Sequence, residues 1–369
     1  MVIIAFWEKN AKKVGGSKVG KISVVGLGPG DMEQLPMGVY RLLKSDKPIY
    51  LRTKLHPVVS ELEQEGFEFH SFDAVYEKND QFEEVYNTIA AELIELAGRQ
   101  DIIYAVPGHP MVAEKSVQLL LDNKQGIEIN IKGGKSFLDD LFQAVQIDPI
   151  EGFQLVDALD LKQDELEVGQ HIIIMQVFNQ YIASDVKLTL MEKYPVNHVV
   201  AFVHAAGSKI EKVEWLPLVE IDRMEGVHNL TSMYVPPLAR DNQTKSFQTV
   251  QYYMDLITGE TGDVWIKEQT HESLIPYLKE ETAEFIKAVE KEDDTNMVEE
   301  LGDILMQVLY HTNLGEQSGY FSLEEVLETL NEKLRRRHPH VFDEFEATSI
   351  EEVETLWQKI KLKEMRGKE

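Results

Sequence analysis

Residues 280–308, EETAEFIKAVEKEDDTNMVEELGDILMQV, decide the fold and the chemistry of the C-terminal part of this sequence. Apolar residues recur here at helical spacing and predict two helices, yet each helix carries acidic residues within its apolar face. Glu281 and Glu284 lie about 60° apart on a helix, because each residue turns the chain by about 100°. Glu300 and Asp303 repeat the same spacing on the second helix. The apolar residues around them are Leu274, Leu278, Phe285 and Val289 on the first helix, and Met297, Ile304 and Val308 on the second.

If the two helices pack by these faces, the four carboxylates converge at one place. Buried carboxylates without compensating partners are strongly destabilising, so the arrangement predicts a bound divalent cation. A set of oxygen ligands without histidine or thiolate favours Mg²⁺, with Mn²⁺ also suitable. Because Mg²⁺ commonly binds through substrate phosphates, the pattern favours a nucleoside polyphosphate as ligand. The alternative is that these acids are solvent-exposed side chains at the edge of the apolar face.

The composition limits the class of protein. The chain has 369 residues, more than one ordinary hydrophobic core, so two domains are expected. A formal net charge of −27 disfavours sequence-independent binding of nucleic acid, which requires Lys and Arg against phosphates. No apolar run approaches the roughly 18 residues that span a bilayer, and no secretory signal is recognised, so we expect a cytoplasmic protein. The sequence contains no cysteine, which excludes disulfides and thiolate catalysis.

The organisation of the chain changes near residue 240. Before it, β-branched segments alternate with amphipathic helical segments, which predicts an α/β domain with a largely parallel sheet. The predicted strands are KISVVGLG, KPIYLRT, DIIYAVPG, IEINIKGG, HIIIMQV and HVVAFVHAAG. After it, helical periodicity predicts an all-α bundle. Its helices are expected over 247–258, 271–291, 295–315, 322–338 and 349–366. We therefore predict a flexible leader (1–19), an α/β domain (20–238), a linker (239–245) and an all-α domain (246–369).

A glycine-rich turn, GLGPGD (26–31), follows the first predicted strand. Such a turn lets backbone N–H groups approach a ligand closely, although a tight structural turn explains the same pattern. Together with AVPGHP (105–110) and KGGKSF (132–137), it resembles the tetrapyrrole (corrin/porphyrin) methylases over about residues 20–238. Two further segments, FNQYIASDVKLTLMEKYP and NLTSMYVPP, resemble the branch of that family that is fused to a second domain.

The resemblance implies two α/β subdomains with S-adenosylmethionine bound in the cleft between them, and a tetrapyrrole as possible substrate. The implied cofactor contacts are Pro29, Gly108, His109, Met111, Ser136 and Ala206. The sequence departs from the family in two places. His109 stands where an acid is common, and the turn at 133–137 is bulkier than the small-residue turn of the family. A non-catalytic scaffold for dimerisation or regulation is therefore the alternative interpretation of this domain.

The C-terminal part closely resembles the MazG nucleotide pyrophosphohydrolases from about residue 246 onward. Five motifs in order carry this resemblance: KEQTH (267–271), YLKEETAEF (277–285), EELGDILMQV (299–308), KLRRRHPHVF (333–342) and LWQKIKLKE (356–364). The resemblance implies metal ligation by Glu281, Glu284, Glu300 and Asp303, with Glu280 either supporting these ligands from outside the metal's coordination sphere or helping to orient water. It also implies hydrolysis of a nucleoside triphosphate to the monophosphate and pyrophosphate, by attack at the α-phosphorus, and a homodimer whose helical bundles pack together.

Basic and aromatic residues near the C-terminus are candidates for substrate binding. Lys333, Arg336 and Arg337 match family positions and are expected to contact phosphate, although basic residues also stabilise a helix C-terminus through its dipole. Trp357 and Lys361 are expected to contact the base and the phosphates, with a structural tryptophan as the alternative. Two further candidates from the KEQTH motif are Lys267 and Gln269.

Three hypotheses about function follow from the sequence. The leading one is a Mg²⁺-dependent nucleoside triphosphate pyrophosphohydrolase that carries a methylase-like domain. The second is an S-adenosylmethionine-dependent tetrapyrrole methyltransferase with an accessory helical domain. The third is a non-catalytic nucleotide sensor, which binds nucleotide without turnover.

Overall fold

The computed structural model describes residues 20–79, 81–227, 230–343 and 347–366. The chain divides into two compact units between Gln243 and Thr244, called here the N-terminal and C-terminal units. This division falls within the predicted linker. The predicted leader, 1–19, lies outside the described residues.

The first half of the N-terminal unit is built on a five-stranded sheet. Its strands are β1 (Lys21–Gly26), β2 (Ile49–Leu51), β3 (His70–Ser71), β4 (Ile102–Val106) and β5 (Glu128–Ile131). Their order is β3-β2-β4-β1-β5, and every pair is parallel. The helices that accompany this sheet are α1 (Met37–Leu43), α2 (Pro57–Gln64), α3 (Asp73–Lys78), α4 (Phe82–Ala97) and α5 (Lys115–Asp122).

Alternation along β1 shows why this sheet is covered on both faces. Ile22 and Val24 pack into a core with residues of α4 and α5, whereas Val25 packs into a second core with residues of α1 and α2. Successive side chains point to opposite faces, so the continuous apolar run of β1 serves both cores. All five residues of β4 are buried for the same reason.

A second five-stranded sheet completes the N-terminal unit. Its strands are β6 (Phe153–Asp157), β7 (His171–Met175), β8 (Val199–His204), β9 (Lys212–Pro217) and β10 (Thr231–Val235). The order is β6-β7-β10-β8-β9, and only the β6–β7 pair is parallel. Its helices are α6 (Phe137–Val145) and α7 (Gln180–Met191).

The expectation of a largely parallel sheet is right for the first sheet and wrong for the second. The physical reason lies in the connections: β8 and β9 are joined by a short loop without a crossover helix, and only antiparallel strands are joined in this way. Four strands, β3, β6, β9 and β10, were not among the predicted strands. β3 has two residues, and β6 and β9 are only partly buried, so their apolar alternation is weak.

The C-terminal unit is all helical within the described residues. Its helices are α8 (Phe247–Thr258), α9 (His271–Glu290), α10 (Asp294–Gln317), α11 (Leu323–Arg337), α12 (Pro339–Phe342) and α13 (Ile350–Arg366). The predicted fold class, an α/β region of two subdomains followed by an all-α bundle, is thus confirmed. Among the described helices, none combines the length and the apolarity that a membrane crossing requires.

Local sequence explains where these helices begin and end. Thr270 and Ser273 form a reciprocal capping box at the start of α9, and Ser322 with Glu325 forms another at the start of α11. The connection between α9 and α10 is very short: Glu292 adopts a left-handed conformation with φ of 55°, and the next residue, Asp293, already caps α10. Because this turn is short, α9 and α10 pack side by side as a helical hairpin.

Candidate metal and nucleotide site

Three carboxylates from α9 and α10 come together in the C-terminal unit. Glu281, Glu284 and Glu300 each offer an oxygen atom, and these atoms all lie within 4.8 Å of one another. The three-residue spacing on α9 places its two acids on one side, and the hairpin brings Glu300 against them. Glu281 and Glu284 are half-buried, whereas Glu300 is only 7% exposed.

The electrostatics of this cluster are unfavourable without a cation. Burial, and then the charges of Asp303, Glu300, Glu280 and Glu284, raise the pKa of Glu281. Burial, followed by the charges of Glu284, Asp303 and Glu299, likewise raises the pKa of Glu300, with Lys287 acting in the opposite direction. These shifts mean that the folded protein resists ionisation of both groups.

The donor set fits a divalent metal ion. The buried Oε2 atom of Glu300 accepts no hydrogen bond from the described residues, so one oxygen in the cluster lacks a partner. Buried carboxylate oxygens without donors are rare in proteins, and a hard cation such as Mg²⁺ or Mn²⁺ satisfies them. The geometry, the unpartnered oxygen and the raised pKa values agree on this point.

The other two acidic candidates lie beside this cluster. Asp303 follows Glu300 by one turn of α10 and is half-buried; it is outside the group of three, but its charge acts on both Glu281 and Glu300. Glu280 is exposed, and its charge acts on Glu281. Both positions therefore remain candidates for their predicted roles at the edge of the site.

The packed faces of the two helices are narrower than the sequence pattern indicated. On α9, Leu274 and Ala288 are buried, but Val289 is 47% exposed. On α10, Gln307 and Leu309 are buried, but Val308 is 41% exposed. Val289 and Val308 were expected on the packed faces, but within the single chain both are exposed, so the neighbouring helices of that chain do not cover them.

Three arginines end α11, and the structure gives each a different environment. Arg335 forms an ion pair of 2.6 Å with Asp343, and its guanidinium lies 5.0 Å from the centre of the Phe342 ring. Arg336 and Arg337 both contact Glu364 on α13 instead. The sequence grouped the last two as phosphate contacts and did not single out Glu364.

The remaining substrate-binding candidates are spread over the C-terminal unit. Trp357 is 38% exposed and packs edge-to-face against His338, with 5.5 Å between ring centres. Lys361 is exposed and Lys333 is half-buried. Lys267 donates to the carbonyl of Glu260.

Gln269 lies just before α9, and its side chain makes two hydrogen bonds there. Its Nε2 donates to the carbonyl of Trp265 at 3.0 Å, and its Oε1 accepts from the hydroxyl of Ser273 at 2.7 Å. These contacts anchor the turn before α9, so Gln269 positions the helix that carries two of the carboxylates.

A second candidate site lies in the N-terminal unit, where three turns meet at the carboxyl end of the first sheet. Gly28 and Gly108 exchange backbone hydrogen bonds of 3.2 and 2.9 Å, and Gly26 donates to the carbonyl of Gly133 at 2.7 Å. A Cβ atom on Gly134 would lie 2.6 Å from the Cα of Gly26 and 2.7 Å from the carbonyl oxygen of Gly108. Glycine is therefore required at position 134 by close approach of backbone.

The predicted cofactor contacts lie on or beside these turns. Pro29 and Gly108 are partly exposed next to the paired glycines, and Met111 is 46% exposed and donates its N–H to Nδ1 of His109 at 3.1 Å. Ser136 caps α6 through a hydrogen bond to the N–H of Leu138. Ala206 is 8% exposed in the loop after β8.

Side chains that sequence reasoning did not single out connect these turns to the second subdomain. Gln34 donates to the carbonyl of Gly207 at 3.0 Å and accepts from the ammonium of Lys135. The same ammonium lies 2.5 Å from Oδ1 of Asp140, whose side chain is buried. Gln34 is far from Gly207 and Lys135 in the sequence, whereas Lys135 and Asp140 are five residues apart, and the lysine in the KGGKSF turn was the available signal.

His56 was also missed as part of this region. Its Nε2 donates to the carbonyl oxygen of Gly28 at 2.9 Å, which fixes the tautomer of the ring and supports the glycine turn. Burial lowers the pKa of His56, with the nearby charge of Arg52 acting in the same direction. Burial of this site therefore favours the neutral ring.

Comparison with known proteins agrees with this two-part architecture. Residues 21–222 match the family model described as tetrapyrrole (corrin/porphyrin) methylases, and residues 269–342 match the MazG nucleotide pyrophosphohydrolase domain. The chain is therefore a fusion of these two classes of domain. It belongs to the tetrapyrrole methylase family and is similar to YabN of Bacillus subtilis over most of its length.

Individual relatives cover different parts of the chain. YabN is 48% identical over 353 residues, which are 95% of this chain and 72% of YabN. The nucleoside triphosphate pyrophosphohydrolase/pyrophosphatase MazG of Thermotoga maritima is 43% identical over 122 residues, which are 33% of this chain and 46% of that protein. Among solved structures, uroporphyrin-III C-methyltransferase from Thermus thermophilus gives a TM-score of 0.47 at 20% identity, covering 66% of this chain and 99% of that one.

Proposed function

We propose that the C-terminal unit hydrolyses nucleoside triphosphates to the nucleoside monophosphate and pyrophosphate, with Mg²⁺ as cofactor and Mn²⁺ as a substitute. The observation that carries this proposal is the cluster of Glu281, Glu284 and Glu300, with oxygens within 4.8 Å of one another and one buried oxygen without a partner. The MazG domain match and the nucleoside triphosphate pyrophosphohydrolases among the relatives supply the substrate class.

Different residues of this chain are proposed to hold the metal, to accept a proton and to orient the attacking water. Glu281, Glu284, Glu300 and Asp303 would hold the metal, which when bound supplies Lewis acidity toward the phosphate oxygens and the attacking water. A carboxylate of this set that retains a free oxygen accepts the proton of the water, and Glu280 at the edge orients that water. The water oxygen bonds to the α-phosphorus, the bond from the α-phosphorus to the bridging oxygen breaks, and pyrophosphate leaves.

The phosphates require positive charge, which this acidic chain supplies locally. Lys333 and Arg336 on α11, with Lys361 on α13, are the proposed phosphate contacts. Trp357, with part of its ring exposed, is the proposed contact for the base. Lys267 and Gln269, before α9, are proposed to contact or to support the nucleotide from the other end of that helix.

A nucleotide panel tests this proposal. The full-length protein is incubated with each nucleoside triphosphate and Mg²⁺, and pyrophosphate and orthophosphate are measured separately. We expect pyrophosphate release that falls at least a hundredfold in Glu300→Gln. Glu290→Gln, the same chemical change at an exposed position on α9, is the matched control and should retain activity. Release of orthophosphate, or an active Glu300→Gln variant, would refute the proposal, and nucleotide binding without turnover would instead indicate a sensor.

For the N-terminal unit we propose S-adenosylmethionine binding at the three convergent glycine turns, with Pro29, Gly108, His109, Met111, Ser136 and Ala206 as contacts. Support comes from the methylase family match and from the close packing of the three turns around Gly134 at the edge of the sheet. Methylation of a tetrapyrrole is the second candidate activity. Calorimetric titration of the full chain with S-adenosylmethionine tests the binding step, and absence of heat at millimolar cofactor would contradict it.

We also propose a homodimer formed through the C-terminal unit. Four apolar residues of α10, Val298, Leu301, Leu305 and Val308, recur every three or four residues and are 41–74% exposed. Such a row on one helix face is typical of a helix that packs against a partner. Light scattering should give twice the 42.2 kDa chain mass, and Leu301→Asp with Leu305→Asp should give the monomer. A wild-type monomer at micromolar concentration would contradict this.

A further inference from the structure

One side of α13 contacts the end of α11 and the residue that follows it, His338. Glu364 contacts Arg336 and Arg337, and Trp357 packs against His338. Trp357 and Glu364 are seven residues apart, which is close to two full turns, so both side chains lie on the same face of α13. The contact between Glu364 and the two arginines therefore helps to hold α13 against the end of α11.

The two arginines use different atoms to reach the same carboxylate. Arg337 donates from Nη2 to Oε2 at 2.7 Å and from Nε to Oε1 at 3.3 Å, so one whole edge of its guanidinium is occupied. Arg336 donates only from Nε, to Oε1 at 2.8 Å. Its two terminal nitrogens make no hydrogen bond with the described residues, and its side chain is 50% exposed, against 31% for Arg337.

The carboxylate at the centre of this arrangement is ionised. Hydrogen bonds from Arg337 and then Arg336 lower the pKa of Glu364 to about 2. Charge-assisted pairs of this kind, and the two-point pair with Arg337 in particular, fix the orientation of a guanidinium as well as its position. A single carboxylate thus holds Arg337 along one edge of its guanidinium and Arg336 by its Nε.

We propose that Glu364 is a positioning residue for phosphate binding, which holds Arg336 by its Nε so that the two terminal amino groups face the polyphosphate, while Arg337 acts through Glu364 as a support. This inference rests on the proposed function of the C-terminal unit and refines it, because it separates two arginines that the sequence treats alike. Arg335, paired with Asp343 and placed against Phe342, belongs to neither role.

The test compares nucleotide affinity and turnover in full-length variants. Glu364→Gln keeps the size of the side chain but removes its charge, Glu364→Asp keeps the charge, and Glu354→Gln makes the same change at an exposed position of α13. We expect KM for the nucleoside triphosphate to rise about tenfold in Glu364→Gln, with kcat nearly unchanged. Glu364→Asp should recover part of the affinity, and Glu354→Gln should behave as wild type.

Arg336→Ala and the double variant complete the test. Arg336→Ala should raise KM at least as much as Glu364→Gln, and combining the two should add little, because the carboxylate acts through that arginine. Additive losses, an unchanged KM in Glu364→Gln, or tighter binding in that variant would overturn the inference. Calorimetric titration with a non-hydrolysable triphosphate analogue gives the same comparison without turnover, so an inactive wild-type protein refutes the proposed function while the analogue affinities still decide the role of Glu364.

Discussion

Substituting Gly134 tests the packing on which the N-terminal site depends. A Cβ atom at this position would lie 2.6 Å from the Cα of Gly26 and 2.7 Å from the carbonyl oxygen of Gly108. Ordinary carbon contacts are about 3.5–4.0 Å, so the turns must separate by about 1 Å in Gly134→Ala. Both neighbours are backbone atoms, which do not move away by a rotamer change.

The expected cost of Gly134→Ala follows from that displacement. Overpacking of a rigid site costs about 1–3 kcal/mol, and separating the turns also strains the 2.7 Å hydrogen bond from Gly26 to Gly133. We therefore expect a loss of about 3 kcal/mol, which corresponds to a fall of about 6–12 °C in the melting temperature of a unit of this size. Heat release on titration with S-adenosylmethionine should fall in parallel if the turns form that site.

Differential scanning calorimetry of the full chain provides the measurement, and Gly38 provides the control. Gly38 lies in α1 with no atom within 4 Å of its Cβ position, so Gly38→Ala should stabilise the N-terminal unit by about 0.5–1 kcal/mol. If Gly134→Ala changes the stability by less than about 0.5 kcal/mol, the close approach of the three turns is not a constraint on the folded protein and the reasoning fails.

Two further predictions concern the C-terminal unit. Mg²⁺ at about a hundred times its dissociation constant should stabilise this unit by about 2.7 kcal/mol in thermal unfolding. That gain should vanish in the double variant Glu281→Gln with Glu284→Gln, and an equal gain there would place the metal elsewhere. His271 and His311 share a hydrogen bond of 2.9 Å between their Nδ1 atoms. Burial, and to a smaller extent the charge of His271, lowers the pKa of His311. Below the ordinary value of 6.5 the unfolded chain takes up a proton that folded His311 resists, so stability should fall as the pH drops through this range, and His311→Asn should weaken the dependence. An identical pH profile in the variant would contradict this.

The features that sequence alone predicts here are those that depend on local spacing. Helices α9 and α10 follow from apolar periodicity, and the approach of Glu281, Glu284 and Glu300 follows from two equal spacings on one hairpin. Each of these relations is contained within a few turns of helix, where backbone geometry fixes which side chains share a face.

The features that the sequence did not predict depend on contacts between distant segments. Lys135 meets Gln34 across 101 positions, and Arg336 and Arg337 acquire different environments only because Glu364 reaches them from another helix. The antiparallel pairing of β10 with β7 and β8 belongs to the same category, since strand direction there is set by which strands become neighbours. No local pattern distinguishes these outcomes from the alternatives.

The short turn between α9 and α10 has a consequence for how this protein tolerates changes in length. Helix α9 ends at Glu290, and Asp293 caps α10. The left-handed residue between them, Glu292, sets the rotation of one helix relative to the other. An inserted residue that extends either helix turns the acids beyond it by about 100°, which removes Glu300 from the other carboxylates. The length of this connection is therefore as much a part of the proposed cation site as its oxygen atoms. Loops elsewhere on the surface can grow or shrink, whereas this one is expected to keep its number of residues.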